Sequence, residues 1–376
     1  MSTSDLEKIA AKRDAPQKSL ISRILENRLT FSLSLLFIIL IQNILTTPNF
    51  FEIGLTQRLD GRLLISGYIP DILDQASYLV IVTLGMTLVT AVSGGQDISV
   101  GAIMAVAASF CGLMLNGPEY RTDIFQNPLW LAIIVGLLGG ALCGGFNGFL
   151  VSVLKIQPMI ASLILFTCGR SIAKLITYSQ TIYITNPDYQ SLAVQVGNTP
   201  IRTTIIVSIL MVIIVTAVVK LTSLGLNIES IGINSNASRL VGINSTRIKL
   251  VTFILCGVLC GVAGMMRSSS VQSVNSAEIG LGIELDAILA VAMGGTLLSG
   301  GKFSIAGSVI SAYTIQAITT TLYANNVRAD QLNVFKAVII VIIIVSSSEV
   351  FKEKLKLLAA RVVMLKNSAA TAKVRG

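Results

Sequence analysis

Histidine is absent from all 376 residues of the chain. Catalytic triads built on imidazole, His-ligated metal centres and His proton relays are thereby excluded, and with them much of enzyme chemistry. Charge is scarce too: Asp, Glu, Lys and Arg together make up 12%, where a soluble domain carries about a quarter. The five cysteines, Cys111, Cys143, Cys168, Cys256 and Cys260, lie in apolar runs without CxxC spacing. They read as small packing hydrophobes, not as redox or metal groups. A phosphate loop is also missing. The run from Gly294 to Lys302 imitates one, but Thr296 stands where the first glycine is required, and Phe303 follows Lys302 where Ser or Thr must hold magnesium. The chain is not expected to be an enzyme, to hydrolyse ATP or to hold a metal or cofactor of its own.

What the chain has in abundance is apolar length. Hydrophobic residues make up 53% and the mean hydropathy is +0.78. A helix needs about 20 mainly apolar residues to cross a bilayer. Runs of about that length fall at 29–47, 75–93, 98–116, 129–154, 158–177, 202–222, 249–267, 284–300, 303–322 and 333–349. The expectation is an all-α polytopic transmembrane helix bundle of about ten spans. One membrane domain, 29–349, is flanked by tails 1–28 and 350–376, and the mixed-charge N-terminal tail makes the first run a retained span, not a cleaved signal.

The net charge of +9 does not point to nucleic acid, because the basic residues gather in the tails and a few loops without interleaved aromatics. It points to orientation. Ten spans put both tails on one side, and the C-terminal tail carries Lys352, Lys354, Lys356, Arg361, Lys366, Lys373 and Arg375. The positive-inside rule makes that side cytoplasmic. Lys155, Lys302 and the stretch with Lys220, Arg239, Arg247 and Lys249 fall on the same side, whereas 178–200 contains no Lys or Arg. Residues 48–74 are expected along the outer interface and not as a span. A multi-pass protein of a cytoplasmic membrane is implied, with both termini inside.

Gly136, Gly140, Gly144 and Gly148 recur every four residues in the fourth run, and Gly257 and Gly261 repeat the device in the seventh. Such strips let helix backbones approach closely. A weak internal echo links Asp97, at the start of the third run, with Glu284 and Asp286 at the start of the eighth. An offset of five spans makes the two elements enter from opposite sides, as in an inverted repeat.

Few polar residues lie inside the runs, so each is a candidate for the translocation pathway or its gates. Asp97, beside Gln96, reads as a helix N-cap or as a gate group. Glu284 and Asp286 invite the same pair of readings at the outer start of the eighth run. Arg170 sits halfway through the fifth run, where a cation costs about 2.5–3.5 kcal/mol on insertion scales unless it faces the bundle. Asn147 and Gln316 have amides that suit either a solute hydroxyl or a neighbouring helix. In the longest inner loop, 222–248, Asn234, Asn236, Ala237, Arg239, Leu240, Val241 and Gly242 form a block. Ala237, Leu240 and Val241 make the apolar face of a short helix that Gly242 stops. That helix is either a solvated connector or a grip for a cytoplasmic partner. An ion-coupled secondary transporter of a small polar solute is the alternative function, with Asp97 as its ion site.

Several blocks carry a resemblance. They are Gly85-Met86-Thr87-Leu88-Val89 with Ser93-Gly94-Gly95-Gln96-Asp97-Ile98-Ser99-Val100-Gly101, then the loop from Gly232 to Gly242, then Glu284-Leu285-Asp286-Ala287-Ile288 through Gly294-Gly295 and Gly300-Gly301. Together they resemble the sugar permeases of bacterial ATP-binding cassette importers, the ribose, galactose and galactofuranose group. Asp60-Gly61-Arg62-Leu63, Leu154-Lys155-Ile156-Gln157-Pro158 and Gly169-Arg170 look most similar to galactofuranose permeases. Gln96 departs from the pattern, which usually has an apolar residue there. The resemblance implies a monosaccharide importer with two permease subunits, paired as a heterodimer or a homodimer. It also implies two cytoplasmic ATPase subunits, which hold the ATP and magnesium, and an extracytoplasmic sugar-binding protein. The loop at 234–242 would then couple to the ATPase.

Overall fold

The structure, a computed structural model, describes residues 28–47, 49–57, 63–117, 127–184, 186–194, 200–328, 331–332, 334–338 and 341. Apart from Arg28, both expected tails, and most of the tenth apolar run, lie outside the described residues. Within them the chain is mostly helical. In order, the elements are α1 (Arg28–Thr46), β1 (Gly54–Gln57), β2 (Leu63–Ser66), α2 (Tyr68–Ser93), α3 (Val100–Asn116), α4 (Leu129–Ser152), α5 (Pro158–Ile176), β3 (Ile182–Tyr183) and α6 (Pro187–Ser191). Then come α7 (Thr203–Leu221), α8 (Leu224–Ile233), α9 (Ser235–Leu240), α10 (Ser245–Val271), β4 (Ser273–Val274), α11 (Ile283–Met293) and α12 (Ile305–Ala324).

Among the described residues, six helices, α2, α4, α5, α7, α10 and α12, are long and apolar enough to cross a bilayer. Their burial sorts them by position. The apolar stretch of α2 is 94% buried within the chain, against 17% for α7. Thus α2 is the central post, packed by α10, α12, α7 and α11, while α7 presents an apolar face that needs lipid or another chain around it. The glycine strips of α4 and α10 meet each other: a Cβ on Gly140 would press on the Gly257 carbonyl oxygen, and one on Gly257 would overlap that of Gly140. No residue larger than glycine fits at this crossing without moving a backbone.

Two expected boundaries are corrected. The first concerns 48–74, expected as an interfacial segment. It holds the antiparallel β1–β2 hairpin, with Leu55 opposite Ile65, and the helix expected from 75 begins earlier, since α2 starts at Tyr68. The second concerns the eighth run, expected as a span over 284–300. Its helix, α11, covers only 11 residues, about 16 Å at 1.5 Å per residue, and is too short to cross alone. Non-helical backbone at 276–282 and 294–304 flanks it on both sides. Such backbone is tolerated at membrane depth only when buried in protein. Gly294 and Gly307 accordingly pack backbone to backbone.

The connections sort into two ends. At one, Gly301 N–H donates to Ala91 O at 2.8 Å, Gly95 packs on Pro158, and Gly232 abuts Ala91 and Gly301. At the other, Ile65 N–H donates to Pro200 O at 3.1 Å, Ile184 N–H donates to Gln272 O at 3.0 Å, and β3 pairs with β4. We call these the hairpin end and the strand end.

Candidate functional site

A cavity of about 1050 Å³ opens at the strand end, between the first turns of α2, the turn 278–282, α11, α12 and the helical residues 334–338. Its wall is amphiphilic. Leu79, Met104, Ile288 and Leu289 give apolar surface; Gln75, Gln316, Thr319, Thr320, Tyr68, Tyr78 and Tyr323 give amides, hydroxyls and ring faces. Few convergent polar groups in an apolar hollow are the usual make-up of a small-molecule site.

The charges on this wall are mostly paired. Arg202, just ahead of α7, places NH1 2.7 Å from the buried Asp74 Oδ2 and NH2 3.5 Å from Asp71 Oδ1. The Thr204 hydroxyl donates to Asp74 as well. Lys336 Nζ lies 2.5 Å from Asp286 Oδ2. Arg267, on α10, donates through NH1 to Gln75 Oε1 at 2.9 Å, and its guanidinium carbon lies 5.5 Å from the centre of the Tyr78 ring. The hydrogen bond and the ring contact together hold the guanidinium in place.

Of the expected pathway residues, Asp286 and Gln316 line this cavity. Glu284 does not pair with Asp286 in a joint gate; its Oε1 accepts from Gly282 N–H at 3.3 Å while Asp286 takes Lys336. Arg170 stands behind the cavity wall. Its NH1 donates to the carbonyls of Ser276 at 3.2 Å, Ala277 at 3.5 Å and Ile279 at 2.6 Å, so it pins the turn whose next residues border the hollow.

Asp97 and Asn147 form a separate cluster at the hairpin end. The Asp97 carboxylate accepts from Ser99 N–H at 2.9 Å and Ser99 Oγ at 2.5 Å, and from Asn147 Nδ2 at 3.2 Å. The N-cap position of α3 is Ser99, not Asp97; Asp97 serves the helix start from two residues upstream. Burial pushes its carboxyl above the usual range, while the bonds from Ser99 and Asn147 pull the other way. Gln96 is half-buried beside it, and its carbonyl accepts from Ser162 Oγ at 3.5 Å.

The 234–242 block folds as α9. Asn234 caps it, its side-chain oxygen accepting from the N–H groups of Asn236 and Ala237, each at 3.0 Å. Gly242 follows at φ +86°. Ala237 is exposed, as are Leu240 at 92% and Val241 at 80%. Arg239 is exposed too, and donates through Nε to Ser245 Oγ at 2.9 Å.

The sequence reading missed Gln75, Tyr78, Arg202, Arg267 and Lys336. Asp71, Asp74 and Gln75 have helical i, i+3, i+4 spacing, a signal that one polar helix face begins before residue 75. Arg267 had no such signal; it closes an apolar run and looks like a boundary charge.

Comparison with known proteins places the chain. Residues 68–347 match the family described as branched-chain amino acid transport system / permease component. The galactofuranose transporter permease protein YtfT of Escherichia coli (strain K12) is 35% identical, over 87% of this chain and 91% of the relative. The fructose import permease protein FruF of Bifidobacterium longum (strain NCC 2705) is 33% identical, over 89% and 91%. The ribose import permease protein RbsC of Escherichia coli (strain K12) is 32% identical, over 82% and 90%. No solved structure matches. With its helical bundle, its six bilayer-length helices and a match over most of its length, the chain belongs to this family of membrane-embedded transport permeases.

Proposed function

We propose that the chain is the permease subunit of an ATP-driven importer that carries a neutral monosaccharide across the bacterial cytoplasmic membrane, galactofuranose being the first candidate. The observation that carries this is the amphiphilic cavity at the strand end, whose charges are largely paired among themselves, leaving amides, hydroxyls and aromatic faces for a polyhydroxylated solute. The sugar-importing relatives favour this class over the amino acids in the family description.

The strand end then faces outward and receives the sugar from an extracytoplasmic binding protein. The hairpin end faces the cytoplasm, where α9 seats on an ATPase that holds ATP and magnesium. A second permease, identical or different, covers the apolar outer faces. Ten spans with both termini cytoplasmic fit this arrangement, because successive long helices run between the two ends and place the basic inner loops together. The opposite placement of Asp97 and Asp286 supports an inverted repeat.

The test is reconstitution with the companion ATPase and binding protein in proteoliposomes, followed by uptake of labelled galactose, ribose and fructose. ATP-dependent accumulation of a sugar is expected. Accumulation that ignores ATP and collapses with an ionophore supports an ion-coupled transporter instead, and ATP-driven uptake of leucine alone overturns the sugar assignment.

A further inference from the structure

Among the cations on the cavity wall, Arg267 is the exception. Arg202 is neutralised by Asp74 and Asp71, and Lys336 by Asp286. Arg267 spends one N–H on the neutral Gln75 amide and lays its plane near the Tyr78 ring. Among the described residues no carboxylate lies within ion-pair distance of it. A guanidinium has five N–H donors in a rigid fork, so four stay uncommitted by the Gln75 bond, in a group whose orientation is already set.

The remaining wall argues for what this fork meets. Asp71, Glu278 and Asp286 balance Arg202, Arg267 and Lys336 in number. A solute bearing a net charge would gain little from one cation in such a ring, whereas a neutral sugar has adjacent oxygens at the spacing two parallel N–H groups address. Gln75 lies on α2 and Arg267 on α10, so the pair also spans two of the helices that enclose the hollow.

We propose that Arg267, held by Gln75 and Tyr78, is the residue that discriminates between sugars within the permease, by donating to a pair of neighbouring sugar oxygens. This rests on the monosaccharide-importer reading above and adds the residue that selects.

The experiment uses the full reconstituted importer, with the binding protein saturated by galactose, ribose or fructose in turn, so that binding-protein affinity drops out of the comparison. The readout is the ratio of ATP-dependent uptake rates between the sugars. Arg267→Lys keeps the charge and loses the fork; Arg267→Leu loses both. Each is expected to move the ratio by about tenfold, the scale of one lost charge-assisted hydrogen bond. Gln75→Glu is the second variant. It gives Arg267 a carboxylate partner without removing it, and is expected to shift the ratio in the same direction. Wild-type ratios in assembled Arg267→Lys and Gln75→Glu importers overturn the proposal. Should the leucine variant fail to assemble, those two decide alone. A wild-type importer that moves none of the three sugars overturns the monosaccharide reading and this inference with it, whereas normal wild-type transport with unchanged variant ratios overturns only this one.

Discussion

Asn147 donates from Nδ2 to Asp97 Oδ1 at 3.2 Å and reaches Ser99 Oγ at 3.3 Å, so a single amide on α4 ties that helix to the start of α3 through a fully buried carboxylate. Replacing Asn147 by leucine leaves Asp97 with only the Ser99 donors. The expected cost is about 1–3 kcal/mol, the penalty for an unmet buried polar group. It is read as a lowered unfolding temperature of the detergent-purified chain, and an unchanged temperature would mean water satisfies the carboxylate.

Asp97 also gives a pH dependence with a definite sign. Burial raises its folded-state pKa, so the stability associated with the protonated carboxyl is fully present below the unfolded value of about 3.9 and is lost as pH rises through the folded value. Asp97→Asn has no such loss. Its stability relative to wild type is therefore expected to climb from acidic to neutral pH, and a difference that stays flat would show that folding does not raise this pKa.

The exposed face of α9 yields a prediction that separates stability from coupling. Ala237 is exposed, so Ala237→Asp should leave unfolding within about 0.5 kcal/mol of wild type, as surface changes usually do. If α9 seats in the ATPase, the same variant places an unpaired charge in an apolar contact, and co-purification of the ATPase and uptake both fall. Normal co-purification and normal uptake would remove α9 from the interface.

Gly257→Ala tests the crossing of α4 and α10. The new methyl meets the Gly140 carbonyl and the backbone of Gly144, atoms that cannot rotate aside. Overpacking of this kind costs about 1–3 kcal/mol, visible as reduced yield and a lower unfolding temperature. Gly242→Ala, with nothing within 4 Å but φ at +86°, should cost only about 1 kcal/mol, from backbone conformation.

Topology can be checked with single cysteines in a background free of the native ones. Leu240, on α9, and Leu281, in the strand-end turn, are both well exposed. A membrane-impermeant maleimide should label Leu281→Cys from outside intact cells and Leu240→Cys only after the membrane is opened. Labelling of both from the same side would contradict the two-ended arrangement.

The helices were legible in the sequence because apolar length is a one-dimensional property. The α5 bounds, Pro158–Ile176, fall within a residue of the expected run, and Pro158 itself marks the start. The short inner helix was legible from its apolar face and from Gly242, which is local stop chemistry; its start at the Asn234 cap was not. The site was not. The approach of Arg267 to Gln75 joins residues 192 positions apart, and nothing in the neighbourhood of either announces the other. Asp286 was singled out for opening a helix, yet its placement depends on Lys336, in a run that looked merely apolar. The break of α11 at Met293 escaped notice because hydropathy continues past it, while the glycines that end the helix satisfy a packing demand from Gly307 that is written elsewhere in the chain.

The glycine contacts at the hairpin end have a mechanical meaning. Gly232 is the penultimate residue of α8, two residues before the Asn234 cap of α9, and it touches the Ala91 carbonyl and the Gly301 backbone with no side chain between; Gly94 meets Ser299 O and Gly300 in the same way. Side chains are the compliant part of a protein interior, because rotamers absorb small displacements. Backbone on backbone has no such play. A displacement of α8 is therefore passed from backbone to backbone into the end of α2, the central post whose opposite turns, from Tyr68 to Leu79, line the cavity; Leu79 lies about 18 Å along the helix from Ala91, at 1.5 Å per residue. A joint without backlash makes α2 a push-rod.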